Sequence, residues 1–326
     1  MGELKKAARL LSSYGRSFIL PTPVQVAVQV AEACDAKCTY CPRKQDSEAA
    51  ISLEDFILIL DRVKKLGAGY FNITGGEPLI WKPLIPALAL LHQSSISAFV
   101  STNGFSLNDA LTDQLGEAGL DALNVSLDGI EPSSISPKTL ANHDAGFSKR
   151  LFHLKREYGT RVSINGVITE ENIDQIPLLI AYARDNDFML SFGLAVQDLT
   201  SVMNKPVLPV IPEKIRKLIR LAFKDKVLVE PLEYFSNPFA PCYDAKKTSI
   251  CIDPKMELIY CFKTKGRSGI YVKDLTQETL AKYLEGFKAN SDICNPYCVA
   301  NCLYLSAYSK RHPLRTLMIL LESKIA

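Results

Sequence analysis

The chain lacks any run of the 18 or so apolar residues that a membrane-spanning helix needs. Its first 19 residues scatter Lys5, Lys6, Arg9 and Arg16 among apolar residues, with no continuous apolar stretch of the signal-peptide kind, so a cytoplasmic protein is expected. A charge excess is also missing: 38 Lys and Arg against 35 Asp and Glu leave a net +3, with no basic block and no basic stripe interleaved with aromatics. Nucleic-acid binding is set aside on that ground. Disorder is not indicated, because 47% hydrophobic and 22% charged residues are ordinary for a chain with a well-buried core. Cysteine, in contrast, is plentiful. There are nine, in two tight groups, and an odd number grouped in this way in a reducing compartment points to metal rather than disulfides.

The first group, Cys34, Cys38 and Cys41, has C-x3-C-x2-C spacing and follows the strand-like run Val24 to Val30. Three thiolates on a short loop can hold a cubane iron-sulfur cluster, whose four irons normally take four protein ligands, so one iron is left open. As at a catalytic zinc, an open coordination position permits chemistry; zinc itself is the alternative occupant. A second motif, Thr74-Gly75-Gly76-Glu77-Pro78, ends the next strand-like run, Tyr70 to Ile73. Glycines before a proline by themselves mark only a turn. Together, in this order and at strand ends, the two motifs resemble the radical S-adenosylmethionine (radical SAM) superfamily. The resemblance implies a [4Fe-4S] cluster on Cys34, Cys38 and Cys41, with the open iron chelating the amino and carboxylate groups of SAM. It also implies that Gly75, Gly76, Glu77 and Pro78 receive the SAM amino group.

At 326 residues there is room for an α/β barrel of roughly 250 residues and an appended module. Residues 1–20 read as an amphipathic helix that closes before Pro21-Thr22-Pro23 and is expected to cap the barrel. Six strand-helix units follow. Val24 to Val30 precedes a helix opened by Ser52-Leu53-Glu54-Asp55, which has capping-box form. Tyr70 to Ile73 precedes a helix over Leu84 to His92, Ala98 to Ser101 one over Asn108 to Ala118, and Leu123 to Leu127 one over Ala145 to Tyr158. Val162 to Ile168 precedes a helix beginning near Asn172, and Met189 to Leu194 one from Glu213 to Phe223. Such alternation implies a parallel sheet with right-handed crossovers, an α/β fold in the form of a partial (β/α)6 TIM-like barrel over residues 21–236. Cys34, Gly75, Asn103, Asp128 and Thr169 all fall at or just beyond strand C-terminal ends, where barrel enzymes place their chemistry.

By the resemblance, Ser101, Asn103, Ser126 and Asp128 belong around the SAM carboxylate and ribose, and Tyr40 packs near the adenine. Asn165 is a polar residue in an apolar strand, read either as a ribose contact or as a satisfied buried amide. Arg43 and Lys44 read as solvated surface or as steering charges for an acidic partner. His143 and Asp144 resemble a His-Asp pair found after the fourth strand in relatives, although the segment Glu131 to Asn142 before them is irregular.

From Pro241 onward come Cys242, Cys251, Cys261, Cys294, Cys298 and Cys302. Residues 237–302 resemble the SPASM/twitch extension of radical SAM enzymes, with a hairpin over Cys251 to Cys261 turning at Asp253-Pro254-Lys255. Met256 stands where that pattern usually has glycine, so a different turn is expected. Six thiols fall short of the eight for two all-cysteine cubanes, which favours one auxiliary [4Fe-4S] cluster. The resemblance implies Cys242, Cys251, Cys261 and Cys302 as its ligands, with Cys294 and Cys298 spare; a structural zinc is the alternative. Phe262 replaces the Asp of sulfatase-maturing relatives, which argues against that activity.

The expected function is reductive cleavage of SAM to a 5'-deoxyadenosyl radical and hydrogen abstraction, of oxidoreductase type, on a peptide or a small-molecule or lipid-linked substrate. A flavodoxin or ferredoxin is the expected electron donor. The alternatives are a non-catalytic iron-sulfur or zinc module, and an adenosylating or methylating radical SAM transferase. Residues 303–326 set Lys310, Arg311 and Arg315 beside Leu314, Leu317, Met318, Ile319, Leu320, Leu321 and Ile325. That pattern suits either a terminal helix packed on the barrel or an interfacial helix giving peripheral membrane contact.

Overall fold

Alternation within the strands decides which way each side chain faces. In β2 (Tyr70–Thr74), Phe71 and Ile73 are buried while Asn72 and Thr74 are half-buried, and β4 (Ala122–Ser126) and β5 (Arg161–Ile168) repeat the pattern. The buried set packs against helices in one continuous core. To it α2 (Leu53–Lys65) contributes Phe56, Ile59 and Val63, and α3 (Leu84–Gln93) contributes Ala87, Leu88 and Leu91. Phe147, Leu151 and Leu154 come from α5 (Phe147–Tyr158), and Ile176, Leu179 and Ala183 from α6 (Ile176–Asp185). Ser52 caps α2, its Oγ accepting the Asp55 N–H at 3.0 Å, while the Asp55 carboxylate accepts from the Ser52 hydroxyl rather than from its backbone N–H.

The computed structural model describes residues 2–41, 47–169, 171–194, 213, 217–220, 248–260 and 267–290. Its sheet runs in the order β6-β5-β4-β3-β2-β1-β7-β8-β9, with β1 (Gln25–Gln29), β3 (Ser97–Thr102) and β6 (Met189–Leu194) completing the parallel set. These six strands and their crossover helices, including α4 (Asp109–Glu117), form a partial TIM-like barrel whose sheet is not closed. Of the expected helix after β6, Glu213 and residues 217–220 are described, and both are helical.

The opposite face of the barrel sheet is polar. Ser101 Oγ donates to Asn72 Oδ1 at 3.0 Å, and Ser163 Oγ donates to Asn124 Oδ1 at 3.0 Å. Ser126 and Asn165 are register partners on the same face. A TIM barrel ordinarily fills this space with branched apolar side chains, so this inner face is equipped to meet a polar ligand.

The barrel end away from the motif loops is covered by α1 (Gly2–Arg16). Leu10 and Tyr14 pack with Val24 and Tyr70, and Lys6 Nζ lies 2.8 Å from each carboxylate oxygen of Asp121. Lys6 is 2% exposed, and Asp121 also accepts the Ala98 N–H at 2.8 Å. Removing either partner of such a buried pair leaves the other's charge uncompensated.

One expectation for the C-terminal region is revised. In the cysteine-rich extension β7 (Ser249–Ile252) pairs parallel with β1, placing Cys251 beside Ala27. The antiparallel strands β8 (Glu257–Ile259) and β9 (Arg267–Tyr271) continue outward from it, followed by α7 (Gln277–Asn290). The hairpin turn keeps the glycine-type backbone. Met256 has φ 63°, Asp253 N–H donates to Glu257 O, and Asp253 Oδ1 accepts from the N–H groups of Lys255 and Glu257. This is a three-residue loop with a left-handed residue at its end, the conformation that glycine normally fills. Here a methionine occupies it, beside the Asp253 cap.

Candidate active site

Three loops grip the cysteine loop, each at a different third. The first is the glycine turn after β2, where Gly76 N–H donates to Ala31 O at 2.7 Å and Glu77 N–H donates to Ala33 O at 2.8 Å. A Cβ at Gly76 would lie 1.9 Å from Ala33 O, so this glycine is needed for close approach of two backbones and not only for a turn. Pro78 then opens a short 3-10 turn, Pro78–Ile80, whose Leu79 N–H is capped by Glu77 Oε1 at 2.8 Å.

Glu77 is 1% exposed, and its carboxylate joins this turn to the loop after β3. Oε1 also accepts from the Thr102 hydroxyl at 2.6 Å, and Oε2 accepts from Asn103 N–H at 2.7 Å. Burial pushes its pKa up to about 7 against the pull of these donors, and the charge of Asp35 adds to the rise.

The loop after β3 is the second grip. Asn103 Nδ2 donates to Asp35 Oδ1 at 2.6 Å and lies 3.7 Å from Cys34 Sγ, while Ser106 Oγ donates to Asp35 Oδ2 at 3.0 Å. The third is the irregular segment after β4. Thr39 N–H and Oγ1 both donate to Ile135 O, at 2.9 and 3.1 Å, and Ser136 Oγ stands 3.4 Å from Cys38 Sγ. The Tyr40 hydroxyl donates to Asp128 Oδ2.

Asp128 is the anchor of this third grip. Its Oδ2 also accepts from Ser136 Oγ at 2.6 Å and pairs with Lys138 Nζ at 3.3 Å, and its Oδ1 accepts Val167 N–H at 2.9 Å. Asn172 Nδ2 holds Asp128 O and Val167 O, each at 2.7 Å. Burial opposes the charge on Lys138, but the negative charges of Asp128 and its neighbours outweigh it and leave the ammonium above its ordinary range. Burial also raises Tyr40 above the usual phenol range.

Gly76, Glu77, Asn103, Asp128 and Tyr40 are thus drawn into the bonding around the cysteine loop, Gly75 lies close against Ala31, Pro78 opens the turn that follows, and Ser101, Ser126 and Asn165 lie on the polar inner face. The aromatic of Tyr40 is covered on one side by Lys138 Nζ, 5.2 Å from the ring centroid. Sequence reasoning missed Asp35, Thr102, Ser136, Lys138 and Asn172. Asp35 stood in plain view between two cysteines; the others carry no periodic signal. His143 stacks on Phe147 with ring centroids 3.9 Å apart and packs against Phe105 of the loop after β3, whereas the exposed Asp144 pairs with Arg150. Arg43, Lys44, Cys242, Cys261, Cys294, Cys298, Cys302 and residues 303–326 lie outside the described residues.

The cysteine loop fits a cluster in its chemistry. Burial raises the Cys34 thiol to about 11 and raises Cys38 as well, so thiolates here call for a bound cation. Among the described residues, no three His, Cys, Asp or Glu side chains gather tightly enough for one ion. A cubane asks for something looser, since each cysteine ligates its own iron. Residues 28–183 match the model of the radical SAM superfamily. The chain contains a radical SAM domain.

This chain is 30% identical to GTP 3',8-cyclase 2 of Pseudomonas aeruginosa over 57% of its own length and 56% of the relative's. It is 24% identical to the PqqA peptide cyclase of Granulibacter bethesdensis over 50% and 44%. The aligned part thus spans about half the length of the curated relatives it matches. The fold resembles Streptococcus suis SuiB bound to precursor peptide SuiA, with a TM-score of 0.62 and 15% identity over 84% of this chain and 68% of that one. It also resembles anSMEcpe with bound AdoMet, with a TM-score of 0.61 and 16% identity over 92% and 100%. The radical SAM family implies a [4Fe-4S] cluster and SAM. Among the described residues, no helix is long and apolar enough to cross a membrane.

Proposed function

We propose that this protein is a radical SAM enzyme that cleaves SAM reductively and abstracts hydrogen from a peptide or small molecule, in an oxidative or ring-forming modification. The observation that carries the reading is the joining of the cysteine loop to both SAM-site loops through Glu77, Asn103 and Asp35 at one end of the barrel. When bound, the cluster and SAM supply one-electron cleavage of the carbon-sulfur bond and a 5'-deoxyadenosyl radical.

The chain's residues do the rest. Cys34, Cys38 and Cys41 hold the cluster. The Gly75-Gly76 backbone and the Glu77 carboxylate would receive the SAM amino group. Asn72, Ser101, Ser126 and Asn165 offer donors and acceptors to the ligand and substrate from the inner face. A site walled this way keeps a reactive radical close to one target bond and away from water. Cys251, on β7 beside the barrel, supplies one ligand of an auxiliary cluster with cysteines of the extension.

Anaerobic reconstitution and assay for 5'-deoxyadenosine with dithionite test the reading. The expected result is SAM cleavage that disappears, together with about four irons per chain, when Cys34, Cys38 and Cys41 are all replaced by Ala. Unchanged iron content in that variant would refute it.

A further inference from the structure

The segment between β4 and α5 brings further side chains to the cysteine loop. Ser136 Oγ lies 2.6 Å from Asp128 Oδ2 on one side and 3.4 Å from Cys38 Sγ on the other. Lys138 Nζ pairs with the same Asp128 oxygen at 3.3 Å, and the two side chains are only 12% and 1% exposed. A hydroxyl thus stands beside one cluster ligand, and a cation is paired with the carboxylate that holds the hydroxyl.

A hydroxyl carries one hydrogen, so Ser136 serves either Asp128 or Cys38 as donor. Beside a Cys38 thiol it donates to Asp128 and accepts from S–H. Beside a ligating thiolate, which has no hydrogen to give, the Ser136 hydrogen turns to the sulfur. Asp128 tolerates the loss, because it keeps the Tyr40 hydroxyl, the Lys138 ammonium and the Val167 N–H.

We propose that Ser136 and Lys138, arranged by Asp128, are positioning residues that raise the reduction potential of the cluster held at Cys38. The inference rests on the reading that Cys34, Cys38 and Cys41 carry a [4Fe-4S] cluster. Reduction adds one electron to that cluster, taken from a one-electron donor of the flavodoxin or ferredoxin class, or from dithionite in the test. The donor is oxidised by one electron and no proton moves; Lys138 keeps its N–H bonds and Ser136 its hydroxyl hydrogen. A hydrogen bond to a ligand sulfur and a nearby cation both favour the more negative, reduced form, and a buried setting strengthens both.

The experiment uses full-length protein, reconstituted anaerobically and titrated with dithionite while the reduced cluster is followed by electron paramagnetic resonance. The relevant signal is the one that changes when SAM is added. The midpoint potential is expected to be more negative in Ser136→Ala, more negative again in Lys138→Met, and close to the parent in Lys138→Arg. A purely structural role for these residues lowers iron per chain while leaving the midpoint of the remaining cluster where it was, and that result overturns the proposal. Where Lys138→Met does not load a cluster, Ser136→Ala decides alone, since it removes one oxygen and no charge; an unshifted midpoint there is equally fatal. A protein whose clusters never respond to SAM sinks the reading at Cys34, Cys38 and Cys41 and the inference with it, an outcome distinct from a SAM-responsive cluster of unaltered potential.

Discussion

The place where a Gly76 Cβ would stand is 1.9 Å from the carbonyl oxygen of Ala33. That oxygen cannot retreat, because it accepts the Glu77 N–H at 2.8 Å and so ties the glycine turn to the cysteine loop. Gly76→Ala is therefore expected to part the two loops, with a stability loss above about 2 kcal/mol and a sharp fall in iron bound at the first site. Gly193→Ala is the control, since nothing lies within 4 Å of its Cβ position. It should be neutral or stabilising by up to about 1 kcal/mol. Thermal unfolding and iron per chain report both.

Glu77→Ala leaves three buried donors, from Leu79, Thr102 and Asn103, without their acceptor. Each orphaned group costs roughly 1–3 kcal/mol, so this variant should lose stability as well as SAM affinity. Glu77→Gln keeps the shape and one acceptor oxygen and should fall between it and the parent. A SAM titration read beside a thermal melt separates the two effects; SAM affinity unchanged in both variants would show that the turn serves structure alone.

His143 lies between Phe105 and Phe147, and burial lowers its pKa from 6.5 to about 4. Its neutral form is favoured in the fold, so its contribution is complete above about pH 6.5 and is lost as pH falls toward 4, at most roughly 3 kcal/mol. Glu77 runs the opposite way, losing stability as pH rises from 4.5 toward 7. The difference between the parent and His143→Phe isolates the histidine. The variant should unfold less readily than the parent at pH 4.5, with the gap closing by pH 7. Parallel stability curves across that interval would contradict this.

Met256 holds a left-handed backbone at φ 63°, where a side chain costs roughly 1–2 kcal/mol and a β-branched one more. Met256→Val should weaken the hairpin that carries Cys251, whereas Met256→Gly should be tolerated. Urea unfolding midpoints rank the three proteins; valine equal to methionine would show that the turn readjusts.

Much of this was legible before any coordinates. The apolar run ending at Leu194 is β6 to the residue, and Val24 to Val30 brackets β1, because parallel strands buried on one face carry a strong local signal. The helix expected near Asn172 begins instead at Ile176, after a 3-10 turn, since the Asn172 side chain is occupied with Asp128 O and Val167 O. What escaped was the set of contacts between distant segments. Lys138 finds its meaning only beside Asp128 and Tyr40, and Cys251 only beside Ala27; no periodicity announces either. Gly76 was visible as a turn residue, while the carbonyl that demands it belongs to another loop.

Gln25 and Ser249 are strand partners although 224 positions apart in sequence. During synthesis, the cysteine loop and the six barrel strands all emerge before the strand that covers the outer edge of β1. Pairing across so long a loop is slow, and until it happens β1 is an uncovered edge able to recruit a second chain. The same interval leaves the thiols of Cys34, Cys38 and Cys41 within reach of whatever delivers iron and sulfide. Translation order thus makes the cysteine loop available early and edge closure late, and a chain released before Ser249 keeps β1 as an unpaired edge.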